Sequence, residues 1–78
     1  MTIKVLGSGC KKCKELLKRT QHAVVQMGIE AEVIYVTDMQ EIIQAGVMST
    51  PALIIDDKIK LKGRLPKVSE IVEIISNS

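Results

Sequence analysis

The two cysteines of this chain stand in a single tetrapeptide, Cys10-Lys11-Lys12-Cys13. A C-x-x-C pair suits two chemistries: it exchanges electrons as dithiol and disulfide, or it binds a thiophilic metal. Exchange needs a thiolate to attack and a second thiol close by to release the mixed disulfide. Metal capture needs more ligands than the pair provides. His22 is the sole histidine, and it falls roughly two and a half helical turns beyond Cys13. Three ligands so spread do not make a closed tetrahedral zinc site within one chain. The four methionines are spaced as core and gap filler, not as a copper-binding array.

The elements that must hold the pair follow from hydrophobic period. Thr2 to Leu6 alternates as a strand, with Ile3 and Val5 on one face and Lys4 and Leu6 on the other. After Gly7-Ser8-Gly9, a helix is expected from about Cys10 to Met27, with Cys13, Leu16, Leu17, Thr20, Val24 and Met27 as its stripe and Gly28 as its stop. Glu30 to Val36 alternates as a second strand. Thr37-Asp38 opens a short helix whose apolar face is Met39, Ile42 and Ile43, ended by Gly46. Ala52 to Ile55 is a buried strand, Asp56-Asp57-Lys58 a turn, and Ile59 to Lys62 its hairpin partner. Val68, Ile71, Val72 and Ile75 form the stripe of a closing helix. The order is β-α-β-α-β-β-α, an α/β fold in one domain spanning residues 1–78.

Composition narrows the function. With 78 residues, no Phe or Trp, eleven Ile and eight Val, the core is built from branched aliphatics that suit strands and helix–sheet packing. A net charge of +2 is too mild to argue for nucleic acid, and there is no aromatic platform on which bases could stack. Lys11, Lys12, Lys14 and Lys18 read as a solvated helix face. No run is apolar enough to span a bilayer or serve as a secretory signal, so no membrane partner is expected and the location reads as cytoplasmic. In a reducing compartment a pair this close is seldom a permanent staple. Across so short a loop it would also restrict the unfolded chain little.

The element order separates the chain from the small soft-metal chaperones, which also carry C-x-x-C after their first strand but run β-α-β-β-α-β. With Cys10-Lys11-Lys12-Cys13 after strand one and Ser49-Thr50-Pro51-Ala52 entering strand three, the chain resembles a minimal thioredoxin fold. It is most similar to the small redox-active disulfide proteins of bacteria and archaea, a branch between thioredoxin and glutaredoxin. Ile3 to Cys10, Gly46 to Leu53 and Gly63-Arg64 match that pattern, and the likeness covers nearly the whole chain. It implies a four-stranded mixed sheet flanked by three helices, with Cys10 as nucleophile, Cys13 as resolving thiol and Pro51 as a cis-proline beside them. It also implies that Thr50 offers its backbone to an extended substrate by β-pairing.

Three positions depart from thioredoxin itself. Gly9 replaces the Trp before the first cysteine, Lys11-Lys12 replaces Gly-Pro, and Lys4 stands where thioredoxins keep a buried, proton-relaying acid. At the start of a helix, Cys10 meets unpaired backbone N–H groups and the positive end of the dipole, and Lys11 and Lys12 add charge nearby. All of these favour its thiolate. Lys4 either reaches solvent or, if it points beneath Cys13, favours thiolate there. The resulting expectation is a thiol–disulfide oxidoreductase needing neither cofactor nor metal. Its partners are a disulfide-bearing protein or small thiol and an upstream reductase, and it acts as a monomer. The alternative is a dithiol module that captures a soft metal, across a dimer if need be.

Overall fold

A computed structural model describes all 78 residues. The chain runs β1(Thr2–Leu6), α1(Lys11–Met27), β2(Glu32–Val36), α2(Met39–Gln44), β3(Ala52–Ile55), β4(Lys58–Lys62) and α3(Val68–Ser76). The sheet order is β2-β1-β3-β4. β1 and β2 are parallel, joined by the α1 crossover, and β3 lies antiparallel to both β1 and β4. This is the minimal thioredoxin fold, a four-stranded mixed sheet with three helices.

Alternation along the strands divides the core between the two faces of the sheet. Ile3, Val5, Leu53 and Ile55 meet Leu16 and Ala23 of α1 and Ile71 and Ile75 of α3. Leu6, Ala52 and Ile54 turn the other way, toward Ile42 of α2 and Val47. Two helices therefore cover one face and one short helix the other. The loop before α3 is tied down from both sides. Arg19 Nη1 donates to the Pro66 carbonyl at 2.9 Å, and Arg64 pairs with Glu70 in the first turn of α3.

Several boundaries differ from the periodicity. β2 begins at Glu32, because the Glu32 N–H bonds to the Met1 carbonyl and only from there does the ladder with β1 run. β4 begins at Lys58, since Asp56 and Asp57 both adopt positive φ (47° and 68°) and close the hairpin in two residues. A bulge follows: Leu53 faces Leu61 and Ile54 faces Ile59, leaving Lys60 as the additional residue. On α2 only Ile42 is buried, while Met39 and Ile43 are 55% and 62% exposed. A helix of six residues presents too little length for a wider stripe.

The C-terminal end of β1 is where the site is assembled. Leu6 pairs with Val36 on one side and Ala52 on the other. The next residue, Gly7, is buried and donates its N–H to the Val36 carbonyl at 3.0 Å. A Cβ at Gly7 would stand 2.4 Å from both Cβ and Sγ of Cys13. The first turn of α1 can seat against β1 only because that side chain is missing.

Gly7→Ala should therefore lower stability by about 1–3 kcal/mol, the usual cost of overpacking, and shift the backbone amide resonances of residues 7–13 while leaving those of α3 in place. Ile71→Ala, at a fully buried position, should cost about 2–5 kcal/mol. Val25→Ala, 78% exposed, should stay within about 0.5 kcal/mol of wild type. Urea unfolding at fixed pH checks all three.

Candidate active site

Cys10 is not the first residue of the helix but its N-cap. Its backbone is extended (φ −71°, ψ 167°), and its sulfur accepts a hydrogen bond from the Cys13 N–H at 3.3 Å. The first N–H groups of any helix lack intrahelical partners, and the usual cap is a Ser, Thr, Asp or Asn oxygen. Here a sulfur fills that place. The Cys10 carbonyl meanwhile accepts from the Lys14 N–H at 3.0 Å and opens the helical ladder. Gly9, at φ 90°, turns the loop into this cap.

The two thiols are unlike. Cys10 is exposed and Cys13 is buried, with none of its surface accessible. Cys13 shares the inward stripe of α1 with Leu16, Thr20 and Ala23. The Cys10 thiol is pushed below its ordinary range, first by the hydrogen bond from the Cys13 thiol. The backbone N–H of Cys13 adds to this, partly offset by burial, and the amides of Lys12 and Cys10 contribute less. Burial pushes Cys13 up, reinforced by its hydrogen bond to Cys10 and by the Cys10 charge. Donors that favour the thiolate of one sulfur thus leave the other protonated. The pair comprises a nucleophile in waiting and a reserve thiol.

Lys11 and Lys12 are exposed and line a shallow cleft with Lys14, Lys18, Glu15 and Leu65. Water screens their charges, so hydrogen bonds from the helix end make the larger contribution at Cys10. The Thr50–Pro51 peptide bond is cis. Pro51 is buried, Thr50 is half-buried, and the Pro51 carbonyl accepts from the Gly63 N–H at 2.9 Å. Because Ala52 pairs with Leu6, Thr50 and Pro51 lie at the same end of the sheet as the Gly7–Cys10 loop.

Lys4 lies elsewhere. It shares a groove with Leu6, Val36, Glu41, Ile54 and Asp57 on the α2 side of the sheet. The sheet stands between it and the α1 face that holds Cys13. His22 is exposed on α1, and no third His, Cys, Asp or Glu joins the two sulfurs into a metal-binding group.

One residue at this end was not marked by any motif. Tyr35 pairs in register with Val5 and packs on the α1–α3 side of the sheet. Its hydroxyl is buried and has no hydrogen-bond partner. Burial raises the phenol above its ordinary range, and so do the charges of Cys13 and Cys10. The one available signal was the strand alternation that puts Tyr35 on the same face as Val5, beneath the helix carrying the dithiol.

Comparison with known proteins agrees with this geometry. The family profile described as "Thioredoxin domain" matches residues 1–76. A thioredoxin of Methanothermobacter thermautotrophicus is 37% identical over 76 residues, covering 97% of this chain and 99% of the relative. A thioredoxin of Methanocaldococcus jannaschii is 40% identical over 73 residues, covering 94% and 84%. A dithiol capping the helix after the first strand, in a chain so similar to these proteins from end to end, belongs to the thioredoxin family and is a thiol–disulfide oxidoreductase.

Proposed function

We propose that Cys10 and Cys13 perform the exchange in a two-step cycle on a protein or small-molecule disulfide. The Cys10 thiolate attacks one sulfur of the target. A Cys10–target bond forms, the target's own S–S bond breaks, and the departing thiolate takes the electron pair and then a proton. Cys13 loses its proton and attacks Cys10 Sγ. The Cys10–Cys13 bond forms as the second target sulfur leaves with its electron pair. The target disulfide is reduced by two electrons and the pair is oxidised by two. A reductase that acts on the new disulfide restores the dithiol.

The observation that carries this reading is the hydrogen bond from the Cys13 N–H to Cys10 Sγ. It places the exposed sulfur at the positive end of a 17-residue helix, where negative charge is favoured. Three lysines at this end, Lys11, Lys12 and Lys14, oppose the helix dipole, and no acidic residue occupies the first turn. Cations there weaken the helix, but they favour the thiolate. Lys11 and Lys12 act in this reading as modulators of Cys10. Lys4, across the sheet, takes no part. Thr50, held by cis-Pro51, offers backbone groups to an extended stretch of the target.

The reading carries three further parts. The 78 residues work as one domain and as a monomer. The partners are a disulfide-bearing protein and an upstream reductase. The site of action is the cytoplasm, where a pair kept as free thiols has electrons to give. No helix is long and apolar enough to cross a membrane.

Iodoacetamide alkylation across a pH series tests the roles. A lowered Cys10 value means that its thiolate persists as pH falls, so the alkylation rate should reach its plateau at a lower pH than a free peptide thiol does. A second, higher midpoint should belong to Cys13. Cys13→Ala removes the first donor but keeps the backbone amide, so the Cys10 midpoint should rise partway toward that of the peptide. Turnover of a peptide disulfide should fall to background in Cys10→Ser, and Cys13→Ser should accumulate the mixed disulfide. A Cys10 no more reactive than the peptide thiol at neutral pH would sink the assignment.

A further inference from the structure

Every lysine of α1 lies in the half of the helix nearest Cys10. Lys11, Lys12, Lys14 and Lys18 are exposed there, whereas the exposed residues of the far half, Gln21, His22, Val25 and Gln26, include no lysine or arginine. A face charged only for solvation has no reason to stop halfway. The spacing also weakens the helix. Cations near its N-terminus oppose the dipole, and Lys14 stands three residues from Lys11 and four from Lys18, where like charges on a helix repel. Support of the Cys10 thiolate accounts for Lys11 and Lys12. It does not account for Lys18, which follows Cys10 by eight residues. That is about 12 Å along the axis, beyond the screening length of about 8 Å at physiological salt.

The four side chains line one shallow cleft, with Leu65 as its apolar wall and Glu15 as its sole acid. Glu15 is engaged by Arg19 at 3.8 Å, and the chain's other ion pair joins Glu70 to Arg64. All four lysines are therefore without an acidic partner. The loop that carries Leu65 is held against α1 by Arg19, which donates to the Pro66 carbonyl. At its start, the Gly63 N–H donates to the Pro51 carbonyl. The cleft thus begins beside the dithiol and the Thr50–Pro51 step and continues along α1.

We propose that this cleft docks acidic segments of protein targets. An extended segment advances about 3.3 Å per residue, so the stretch from Cys10 to Lys18 spans about four residues of it. Asp or Glu side chains within that distance of the target cysteine pair with the lysines and relieve the repulsion among them. Leu65 takes an apolar neighbour. None of these side chains touches a reacting sulfur; they speed encounter and hold the target while Cys10 attacks. Nucleic acid is also anionic, but a net charge of +2 and the lack of any Phe or Trp suit it poorly.

Docking of this kind rests on the nucleophilic role given to Cys10, and the two can fail separately. Three peptide disulfides of equal length, with Asp, Ser or Lys in the four positions on each side of the cysteine, are mixed with the reduced protein in single-turnover reactions. Each rate is divided by that variant's iodoacetamide rate, which removes any change in Cys10 itself. At low salt the Asp peptide should react roughly tenfold faster than the Lys peptide. At about 0.5 M salt the two should agree within about twofold. Lys14→Glu/Lys18→Glu should reverse the order. Should that variant fail to fold, Lys14→Gln/Lys18→Gln should shrink the preference to about threefold or less. Lys60→Glu makes the same kind of charge change on β4, outside the cleft, and should keep the order of the parent. Asp and Lys peptides within twofold of each other at low salt, or a preference that survives the cleft variants, would overturn the proposal. So would a preference that Lys60→Glu alters as much as they do, or an oligonucleotide that binds the lysines while the peptides react alike. A Cys10 no more reactive than a free peptide thiol would instead overturn the reading beneath it.

Discussion

The hydrogen bond from the Cys13 amide to the Cys10 sulfur joins folding and chemistry in one contact. A helix of 17 residues needs acceptors for its first N–H groups, and an attacking thiolate needs donors. Each requirement is met by the other. A capping oxygen would serve the helix equally well but would not exchange disulfides. The same contact makes the two sulfurs unequal, since the donor to Cys10 belongs to the residue whose own thiol is sealed beneath the turn.

That arrangement depends on how closely α1 approaches the sheet. Gly7 has no side chain where Cys13 rests, and its N–H extends the ladder to β2. Gly63 makes a corresponding approach on the far side. Its N–H bonds to the Pro51 carbonyl, and a Cβ there would come within 3.2 Å of Ser49. The loops after β1 and before β3 are thereby drawn to one end of the sheet, where the dithiol and the Thr50–Pro51 bond lie together. Strand pairing supplies the framework: Leu6 opposite Ala52 brings neighbours that are more than forty residues apart in the chain to adjacent positions.

The two faces of the sheet carry different duties. The face under α1 and α3 holds most of the buried core and contains Cys13 and Tyr35. The face under α2 has a smaller cluster and leaves Lys4 in a groove with Glu41 and Asp57. In a chain without Phe or Trp, Ile, Val and Leu fill the first face, and the one aromatic ring lies at its active end. A lysine at the fourth position is tolerated because it turns away from that core, its stem along apolar surface.

The sequence alone determined the order of elements, because the alternation of Ile3 and Val5, the stripe from Cys13 to Met27 and the stops at Gly28 and Gly46 are local patterns. It also determined the reactive pair and the Thr-Pro step, which carry their meaning in three or four adjacent residues. It placed Cys10 inside the helix and widened α2 to an apolar face of three residues, since periodicity cannot see a cap or count the neighbours that a short helix will meet. The stripe that Cys13 heads also made it the less exposed sulfur, as the structure has it. Only the tertiary structure decided that a sulfur caps α1, that Lys4 lies across the sheet from the thiols, and that Tyr35 brings an unpaired hydroxyl to their side. Each of these depends on which residues face each other across strands and helices far apart in the chain. Pairing and packing create that information, and spacing along the chain does not contain it.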